Sequence, residues 1–278
     1  MRKMNKKYKI GIIGLGFLGG SIDKYLSSRG ITPLRYDKKG IGSQEKVNCS
    51  DIVFICVNTP YDERKKQADL SYVKSAVSIL KGKKIIVIRS TVPPGTTDSL
   101  QKEFPQHAFL FNPEFLRAKT AYKDFIKPTR QVVGYTEKSK KYAKKILDLL
   151  PVAPKKYSRL VPVKTAELLK YASNVMLSIK VAAANKFFDF CEALGVDYND
   201  IKNLLIADPR IGSWGLDVMF ENFRGYNGTC FPKDVRAFIA LGEKIGVDVK
   251  WIEEMDDANL KLLKNQNLDP NYGHPKIK

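Results

Sequence analysis

A glycine-rich turn near the start of the chain constrains the fold more than any other feature of the sequence. The stretch "KYKIGIIGLGFLGG" is an apolar, β-branched run that ends in Gly14-x-Gly16-x-x-Gly19, and "SIDKYLSSRG" behind it has helical spacing. In a strand–turn–helix of this kind, the first glycine makes the tight turn, the second lets the backbone approach a pyrophosphate, and the third lets helix and strand pack closely. The start of the helix favours negative charge. The motif therefore predicts dinucleotide binding.

The second predicted strand, "ITPLRYD", ends in Asp37, eighteen residues after Gly19. A carboxylate at that distance is placed to accept hydrogen bonds from the ribose hydroxyls of the adenosine, and it disfavours a 2′-phosphate. The predicted cofactor is therefore NAD rather than NADP. Lys38 and Lys39 beside the carboxylate weaken this preference without reversing it.

Strands and helices continue to alternate through the first half of the chain. "DIVFICVNTP", "KKIIVIRSTVPPGTT" and "HAFLFNPEFLRA" are predicted strands with polar exits, and "DLSYVKSAVSILKG" is a predicted helix. Thr59, Thr91 and Glu114 follow the strand ends, where ligands bind in an open α/β sheet. Each could instead cap a helix or solubilise a loop, but three polar exits on one rim favour a functional role.

The sequence changes character after residue 161. "PVKTAELLKYASNVMLSIKVAAANKFFDFCEALG" has no interior glycine or proline, and its apolar residues recur at intervals of three and four. It predicts a helix of about 30 residues. Lys170 and Asn174, four residues apart, share one face of that helix. They are either part of a solvated stripe or a donor pair directed at an oxyanion.

These elements predict an α/β fold: a Rossmann-type doubly wound parallel sheet, followed by the long central helix and a small all-α domain. Two further helices are expected in "VDYNDIKNLLIADPRIG" and "CFPKDVRAFIALGEKIG". The expected domains are an NAD-binding domain at residues 1–160, a helical central domain at 161–250 and a tail at 251–278.

One cysteine stands out in the second half, in "GYNGTCFPKD" at residues 225–234. Pro232 suits the first turn of a helix, so Cys230 is expected at a helix amino terminus and close to Lys233. Such surroundings lower the pKa of a thiol and make it nucleophilic. The alternative is a buried structural cysteine, which is the role expected of the three others, Cys49, Cys56 and Cys191.

Composition excludes several other classes of protein. No run of about 18 apolar residues is present, so no membrane span is expected. The cysteines show no paired spacing, which fits a cytoplasmic, reducing location, and His107 and His274 lie near none of them, so no zinc site is expected. The formal net charge of +19 indicates a solvated lysine-rich surface or a field that attracts anionic ligands. Nucleic-acid binding is the weaker explanation.

Six motifs in order resemble those of nucleotide-sugar dehydrogenases of the UDP-glucose 6-dehydrogenase type, with GDP-mannose dehydrogenases as close relatives: "GIIGLGFLG", "VFICVNTP", "RSTVPPGTT", "NPEFLRA", "ELLKYASN" and "GYNGTCFPKD". The likeness runs from residue 8 to residue 260. It implies a four-electron oxidation in which the sugar's primary alcohol loses a hydride to NAD and the Cys230 thiolate adds to the aldehyde. The thiohemiacetal then loses a hydride to a second NAD, and water hydrolyses the thioester. UDP-glucose, oxidised to UDP-glucuronate, is the best candidate substrate.

The resemblance also implies a role for each matching residue. Lys170 and Asn174 would stabilise oxyanions, and Glu114 would act as the base. Asp234 and Thr91 would hold the hydrolytic water. Cofactor contacts are expected at Gly14, Gly16, Leu18, Gly19, Asp37, Thr59, Thr91 and Lys233. Substrate contacts are expected at Glu114, Phe115, Leu116, Lys170, Asn174, Phe223, Gly225 and Asn227.

The sequence departs from the family pattern in three places. Where the family usually has a second glutamate, four residues after Glu114, this chain has Ala118. Where it usually has two glycines before the cysteine, this chain has Asn227 and Gly228, and asparagine tolerates a positive φ better than most residues. Family members also have a third domain that closes over the nucleotide, and this chain stops where that domain is expected to begin.

Two other functions fit parts of the pattern. A two-electron dehydrogenase of the 3-hydroxyacid type would share the dinucleotide domain and the lysine–asparagine pair but would not need Cys230. A catalytically incomplete binding subunit would need a missing domain in trans. In either case the long central helix, which is apolar on more than one face, predicts a homodimer formed across it.

Overall fold

The computed structural model describes residues 8–220 and 222–270 of the chain. The strands are β1 (Ile10–Ile13), β2 (Leu34–Asp37), β3 (Ile41–Gly42), β4 (Ile52–Ile55), β5 (Tyr61–Asp62), β6 (Gln67–Ala68), β7 (Ile85–Ile88), β8 (Ala108–Phe111), β9 (Gln131–Tyr135), β10 (Ser158–Pro162), β11 (Met219–Phe220) and β12 (Phe223–Arg224). The helices are α1 (Phe17–Ser28), α2 (Gln44–Asn48), α3 (Ser71–Ser78), α4 (Thr96–Glu103), α5 (Ala121–Ile126), α6 (Lys140–Leu149), α7 (Val163–Leu194), α8 (Tyr198–Ile206), α9 (Phe231–Ile245) and α10 (Lys250–Asn265).

The chain divides into two compact units. The first comprises residues 1–59 and 69–170, and the second comprises 60–68 and 171–278. The division falls inside α7, between Lys170 and Tyr171. It differs from the expected boundary at residue 160, because the first turns of α7 pack with the sheet. It also differs from the expected tail at 251–278, because residues 250–265 form a full helix of the second unit.

One sheet forms the centre of the first unit, with strand order β10-β9-β8-β7-β4-β1-β2-β3 in the described residues. Strands β2, β1, β4, β7 and β8 run parallel, whereas β3 pairs antiparallel with β2 and β9 pairs antiparallel with β8. From β1 the chain proceeds to β2 on one side and then crosses to β4 on the other. This reversal is the topological switch point, where open α/β sheets bind their ligands.

The central strands form because they are apolar on both faces. Strands β1, β4, β7 and β8 are buried at every position, as is typical of parallel strands covered by helices on both sides. Alternate residues enter two separate cores. Ile12, Phe54 and Val87 pack in the core that includes α1 and α6, while Ile55, Ile88 and their neighbours pack against α3, α4 and the start of α7. The predicted Rossmann-type doubly wound sheet is thereby confirmed.

The second unit is mainly helical and contains two smaller cores. In one, Tyr226 of the cysteine loop packs with Val175 of α7, Val235 of α9 and Ile252 of α10. The other joins Ala184 and its neighbours on α7 to Tyr198 of α8. The expected all-α character is incomplete, because β5 pairs with β6 and β11 with β12 as two short antiparallel hairpins. Such two-residue strands have no periodicity that a sequence could reveal.

The long helix predicted from residue 162 is present as α7, with 32 residues. Within the described residues, no helix combines the length and apolar character that a membrane span requires. The same residues contain no group of three or more histidine, cysteine or acidic side chains that could hold a metal ion. His274 lies outside the described part of the chain.

Candidate active site

The three motif glycines follow β1 and open α1, and each occupies a different environment. Gly14 has φ +86°, and a Cβ there would lie 2.7 Å from the carbonyl oxygen of Cys56. A Cβ on Gly19 would lie 1.9 Å from the carbonyl oxygen of Gly14. A Cβ on Gly16, by contrast, would meet no atom within 4 Å. Two of the glycines are therefore required by packing, and the third borders open space, where a ligand could approach the backbone.

Asp37 ends β2 beside this turn and holds the turn directly. Its carboxylate accepts hydrogen bonds from the backbone N–H of Leu15 at 2.6 Å and of Lys39 at 2.9 Å. Partial burial raises the pKa of the Asp37 carboxyl, but these two bonds and the Lys39 charge outweigh it, and the pKa lies below its ordinary value. The carboxylate is therefore ionised at neutral pH and fixed at the edge of the glycine turn.

The space beside Gly16, the start of α1 and the Asp37 carboxylate fit the pyrophosphate and the adenosine ribose of NAD. Helix α1 has no side-chain cap at Gly16, so its first N–H groups can receive a pyrophosphate in the open space beside Gly16. Asp37 is a fixed anion of the kind that could accept from ribose hydroxyls. Leu18 is buried in the core at the first turn of α1, so its side chain supports the turn and only its backbone can face a cofactor.

Thr59 and Thr91 follow the neighbouring strands β4 and β7. The Thr59 hydroxyl donates to the carbonyl oxygen of Thr91 at 2.7 Å, and both side chains are buried. The bond ties the exits of the two strands together at the carboxyl edge of the sheet. The two residues predicted as cofactor contacts are thus brought together by the structure.

Glu114 follows the next strand, β8, and pairs with Lys170 of α7. The ammonium lies 2.7 Å from Glu114 Oε1, with side-chain exposures of 4% for the lysine and 7% for the glutamate. The other carboxylate oxygen accepts from the N–H of Leu116 at 2.8 Å. Burial raises the pKa of Glu114, but Lys170, the Leu116 N–H and the nearby Arg89 guanidinium lower it, and the pKa lies below its ordinary value. The site therefore holds a buried carboxylate in its ionised form.

The segment after Glu114 turns back toward α1. The half-buried ring of Phe115 lies 3.7 Å from the Arg130 guanidinium and 5.9 Å from Lys170 Nζ. Ala118, where the family usually has a second glutamate, borders a cavity of about 620 Å³ that Gly20 and Ser21 of α1 also line. With alanine at position 118, no acidic side chain is among the residues that line this cavity.

Two buried charged residues of this unit were missed by sequence reasoning. Glu167 of α7 accepts from the backbone N–H of Gly95 at 2.6 Å and of Thr97 at 2.8 Å, so it caps the start of α4. Burial raises the pKa of its carboxyl to about 7, although those bonds lower it in part. Arg89, at the exit of β7, is 2% exposed and donates to the side chain of Asn112. In the sequence, the only feature that pointed to Glu167 was its position three residues before Lys170.

The second unit brings Cys230, Asn174, Lys233 and Asp234 together. Cys230 is the amino-terminal cap residue of α9, half-buried, with Pro232 in the first turn. Its Sγ lies 3.7 Å from the hydroxyl of Thr229. Asp234, one turn into α9, is fully buried; it accepts from Asn174 Nδ2 at 2.5 Å and pairs with Lys233. The cluster therefore places a thiol at a helix start, four residues before a buried carboxylate.

Two glycines in the loop before Cys230 have a positive φ, which glycine adopts without strain. Gly225 has φ +91° and Gly228 has φ +86°. Asn227 is not among the residues with positive φ, so its predicted tolerance of that conformation is not needed. Its side chain accepts from the Gly228 N–H at 2.8 Å and donates to the Asp269 carbonyl at 3.0 Å. Phe223, in β12, is half-buried.

The fold and these clusters define a dinucleotide-binding α/β protein whose second unit carries a cysteine at a helix start. Two family descriptions match it. Residues 39–149 match "UDP-glucose/GDP-mannose dehydrogenase family, NAD binding domain" and residues 164–261 match "UDP-glucose/GDP-mannose dehydrogenase family, central domain". The chain belongs to the UDP-glucose/GDP-mannose dehydrogenase family, and NAD is confirmed as the predicted cofactor. The glycine motif itself lies ahead of the first matched segment.

Named relatives agree with this assignment. The chain is 35% identical to UDP-glucose 6-dehydrogenase of Rickettsia prowazekii over 270 residues, which are 92% of this chain and 58% of that protein. It is 35% identical to UDP-glucose 6-dehydrogenase TuaD of Bacillus subtilis over 228 residues, 77% of this chain and 47% of that protein. A UDP-glucose dehydrogenase structure from Pyrobaculum islandicum aligns with TM-score 0.80 and 28% identity, over 95% of this chain and 70% of that one. The chain thus spans about half the length of these curated relatives.

Replacement of Gly16 by alanine should weaken NAD binding without unfolding the protein. A Cβ at Gly16 meets no protein atom within 4 Å, but it would occupy the space that a pyrophosphate needs. We expect the dissociation constant for NAD, measured by calorimetry, to rise about tenfold or more, with the melting temperature unchanged. Gly20→Ala is the matched control, because its Cβ would make only an ordinary 3.8 Å contact. Equal NAD affinities for wild type and Gly16→Ala would contradict the placement.

Replacement of Lys170 by methionine should destabilise the protein in a pH-dependent way. It would leave the Glu114 carboxylate buried without its ammonium, a loss of about 3–5 kcal/mol in the free energy of unfolding at pH 7. In the wild type the lowered pKa of Glu114 means that the pair stabilises the fold above the unfolded pKa. That contribution is lost as pH falls through the folded pKa.

In the variant, burial without the ammonium raises the pKa of Glu114, so the deficit of Lys170→Met should shrink toward pH 4.5, where the carboxyl of the variant takes up a proton and no longer needs a counter-charge. Urea unfolding at pH 7 and pH 4.5 measures it. Lys164→Met, at an exposed position of the same helix, is the control and should change little at either pH. A deficit that grows on acidification would refute this account of the pair.

Proposed function

We propose that this chain uses NAD to oxidise a nucleotide sugar by four electrons, with UDP-glucose as the best candidate substrate. The observation that carries the proposal is Cys230 at the amino-terminal cap of α9, four residues before the buried Asp234 that Asn174 also binds. A two-electron dehydrogenase has no use for a thiol in that position. Family membership and the names of the relatives support the same activity.

The glycine turn, the start of α1 and Asp37 would hold NAD, which supplies the hydride acceptor for both oxidations when bound. Open space beside Gly16 and the ionised carboxylate of Asp37 support this placement. The Thr59–Thr91 bond would keep the neighbouring strand exits in place at the same edge of the sheet. Lys233, which pairs with Asp234, remains a proposed cofactor contact.

In the first oxidation, the primary alcohol loses a hydride from carbon and a proton from oxygen. Glu114 is ionised and so can accept the proton. Lys170, at 2.7 Å from that carboxylate, would stabilise the negative charge that develops on the sugar oxygen. Asn174 lies one turn further along α7 and would donate its amide to the same oxygen.

The aldehyde is then held covalently. The Cys230 sulfur forms a bond to the aldehyde carbon, and the carbonyl oxygen takes up a proton. A second hydride leaves the same carbon, the hydroxyl proton is released, and a thioester remains. The covalent bond keeps the aldehyde in place between the two oxidations. The addition needs the thiolate of Cys230, which is the amino-terminal cap residue of α9.

Hydrolysis completes the reaction. Water attacks the thioester carbon, the carbon–sulfur bond breaks, and the sugar leaves as a carboxylate while Cys230 regains its proton. Asp234 is suited to orient this water, because its carboxylate is fixed by Asn174 and Lys233. We assign Thr91 to the same water. Phe115, Leu116, Phe223, Gly225 and Asn227 are proposed to contact the sugar nucleotide.

The ratio of NADH formed to UDP-glucose consumed tests the proposal. With excess NAD at mildly alkaline pH, we expect two NADH per sugar, because each oxidation transfers one hydride. Cys230→Ser should abolish steady turnover, while Cys49→Ser, at an exposed cysteine, should leave the ratio at two. A ratio of one with a released aldehyde would identify a two-electron dehydrogenase. No NADH with UDP-glucose or GDP-mannose would count against the proposed activity.

We also propose that two copies associate across α7. An apolar stripe on this helix, formed by Phe187, Phe190 and Leu194, is exposed in the single chain, with Phe190 at 61% and Leu194 at 73%. The spacing of three and four residues puts these side chains on one face. Exposed apolar patches of this kind are usually covered by a partner.

Light scattering at micromolar concentration tests the association. We expect the mass of a dimer for the wild type and of a monomer for the double variant Phe190→Glu/Leu194→Glu, since two carboxylates would have to be buried in the contact. Lys186→Ala, at an exposed polar position on the same helix, should remain dimeric. A wild-type mass of one chain would refute the dimer.

A further inference from the structure

The amide side chains of Asn259 in α10 and of Gln266, the C-cap residue of that helix, bind the backbone of the segment that leads to Cys230. Asn259 accepts from the N–H of Tyr226 at 2.8 Å and donates to its carbonyl at 2.9 Å. Gln266 does the same for Arg224, accepting from its N–H at 2.8 Å and donating to its carbonyl at 3.1 Å. Each amide thus replaces the backbone partner that a neighbouring β-strand would provide.

The two amides bind the segment on both sides of a bend. Asn259 and the C-cap residue Gln266 are seven residues apart, about two helical turns, so their side chains lie on the same side of α10. Arg224 and Tyr226 flank Gly225, where the backbone turns with φ +91°, and each presents its N–H and its carbonyl to one of the amides. The helix therefore holds the backbone at one residue before the bend and at one residue after it.

Further contacts from the same helix fix the segment. Asp256, three residues before Asn259, accepts from the hydroxyl of Tyr226 at 2.6 Å. A Cβ on Gly225 would lie 2.6 Å from the Asn259 side-chain oxygen. Only a glycine permits so close an approach, and its φ of +91° also requires one.

Asp256 and Asn259 are buried, so the loss of their hydrogen bonds would cost more than at an exposed position. Asp256 is 6% exposed and Asn259 is 5% exposed. Burial raises the pKa of Asp256, and the bonds from Tyr226 and Arg236 lower it in part. On a helix face that normally carries apolar residues, buried polar side chains are retained only when they are fully bonded. Here their partners are the loop backbone, the Tyr226 hydroxyl and, for Asp256, also the Arg236 guanidinium.

From these contacts we infer that α10 is the template for the cysteine loop, with Asn259 and Gln266 as positioning residues that fix the place of the Cys230 thiol. The segment is also held from α7, because the Arg224 side chain bonds Asn185 at 3.1 Å and Asp189 at 2.5 Å. The contacts from α7 are to Arg224 and those from α10 reach Tyr226, and Cys230 follows four residues later at the start of α9. The inference rests on the proposed function only in the catalytic role given to Cys230.

Residue-resolved hydrogen exchange tests the template without depending on turnover. Asn259→Leu should speed the exchange of the Tyr226 amide about tenfold or more, and Gln266→Leu should do the same for the Arg224 amide. Asn259→Asp keeps the acceptor for the Tyr226 N–H and loses only the donor, so its effect should be smaller. Asn265→Leu, at an exposed amide of the same helix, is the matched control and should exchange as the wild type does.

Alkylation of Cys230 by iodoacetamide, followed by peptide mass mapping, tests the effect on the thiol. Release of the loop from α10 should expose the half-buried sulfur and raise the rate about fivefold in Asn259→Leu or Gln266→Leu. The affinity for NAD should change little, because all the proposed cofactor contacts except Lys233 lie in the first unit. Should Asn259→Leu fail to fold, Gln266→Leu, at the carboxyl end of the helix, carries the test alone.

The outcomes separate this inference from the proposed activity. Wild-type exchange and alkylation rates in folded Asn259→Leu and Gln266→Leu would overturn the template, whatever the wild-type turnover. Faster exchange and alkylation would support it even if the wild type oxidised no sugar, a result that would defeat the proposed activity alone. A loss of NAD affinity in parallel with loop release would indicate general unfolding and overturn the positioning role.

Discussion

The parallel direction of five strands is the constraint on which the first unit depends. Strands β2, β1, β4, β7 and β8 all end at one edge of the sheet, and β1, β4, β7 and β8 are too apolar to face water on either side. Helices must therefore cover both faces, and the polar residues that leave the strands collect at the uncovered edge. The glycine turn, Asp37, the two threonines and Glu114 lie together for this reason, and each is tied to a neighbouring exit or helix.

Buried charge is the second organising feature. In a poorly polarisable interior, an ammonium and a carboxylate hold each other in the ionised form, as Lys170 and Glu114 do. A buried pair of this kind contributes little to stability when compared with apolar packing. Its effect is to fix an ammonium and a carboxylate with little freedom of movement. Glu167, one turn earlier on α7, instead bonds the start of α4 and has a raised pKa of about 7, so similar side chains acquire different properties from their surroundings.

The cysteine loop illustrates how a short polar segment acquires one conformation. The loop has too few apolar residues to form a core of its own. Its Tyr226 instead packs in a core with residues of α7, α9 and α10. Beyond the short β11–β12 pairing, the amide side chains of Asn259 and Gln266 bind the backbone groups of the loop, and Gly225 permits the close approach. None of these partners could be found from the sequence, because an asparagine and a glutamine at the polar-rich end of a helix are ordinary surface residues until the chain that they bind is known. The segment from 251 onward was accordingly expected to be a tail.

Local patterns in the sequence determined the elements and their chemistry. The glycine spacing, the apolar strands, the proline behind Cys230 and the 3.6-residue periodicity of α7 each act over a few residues, so the sheet, the long helix and the candidate nucleophile could be predicted. Only the tertiary structure decided the partners: Lys170 with Glu114, Asn174 with Asp234, Glu167 with α4, and Asn259 with Tyr226. These pairs are separated by tens of residues along the chain. Their geometry, burial and pKa values arise only when packing removes water and brings distant side chains into contact.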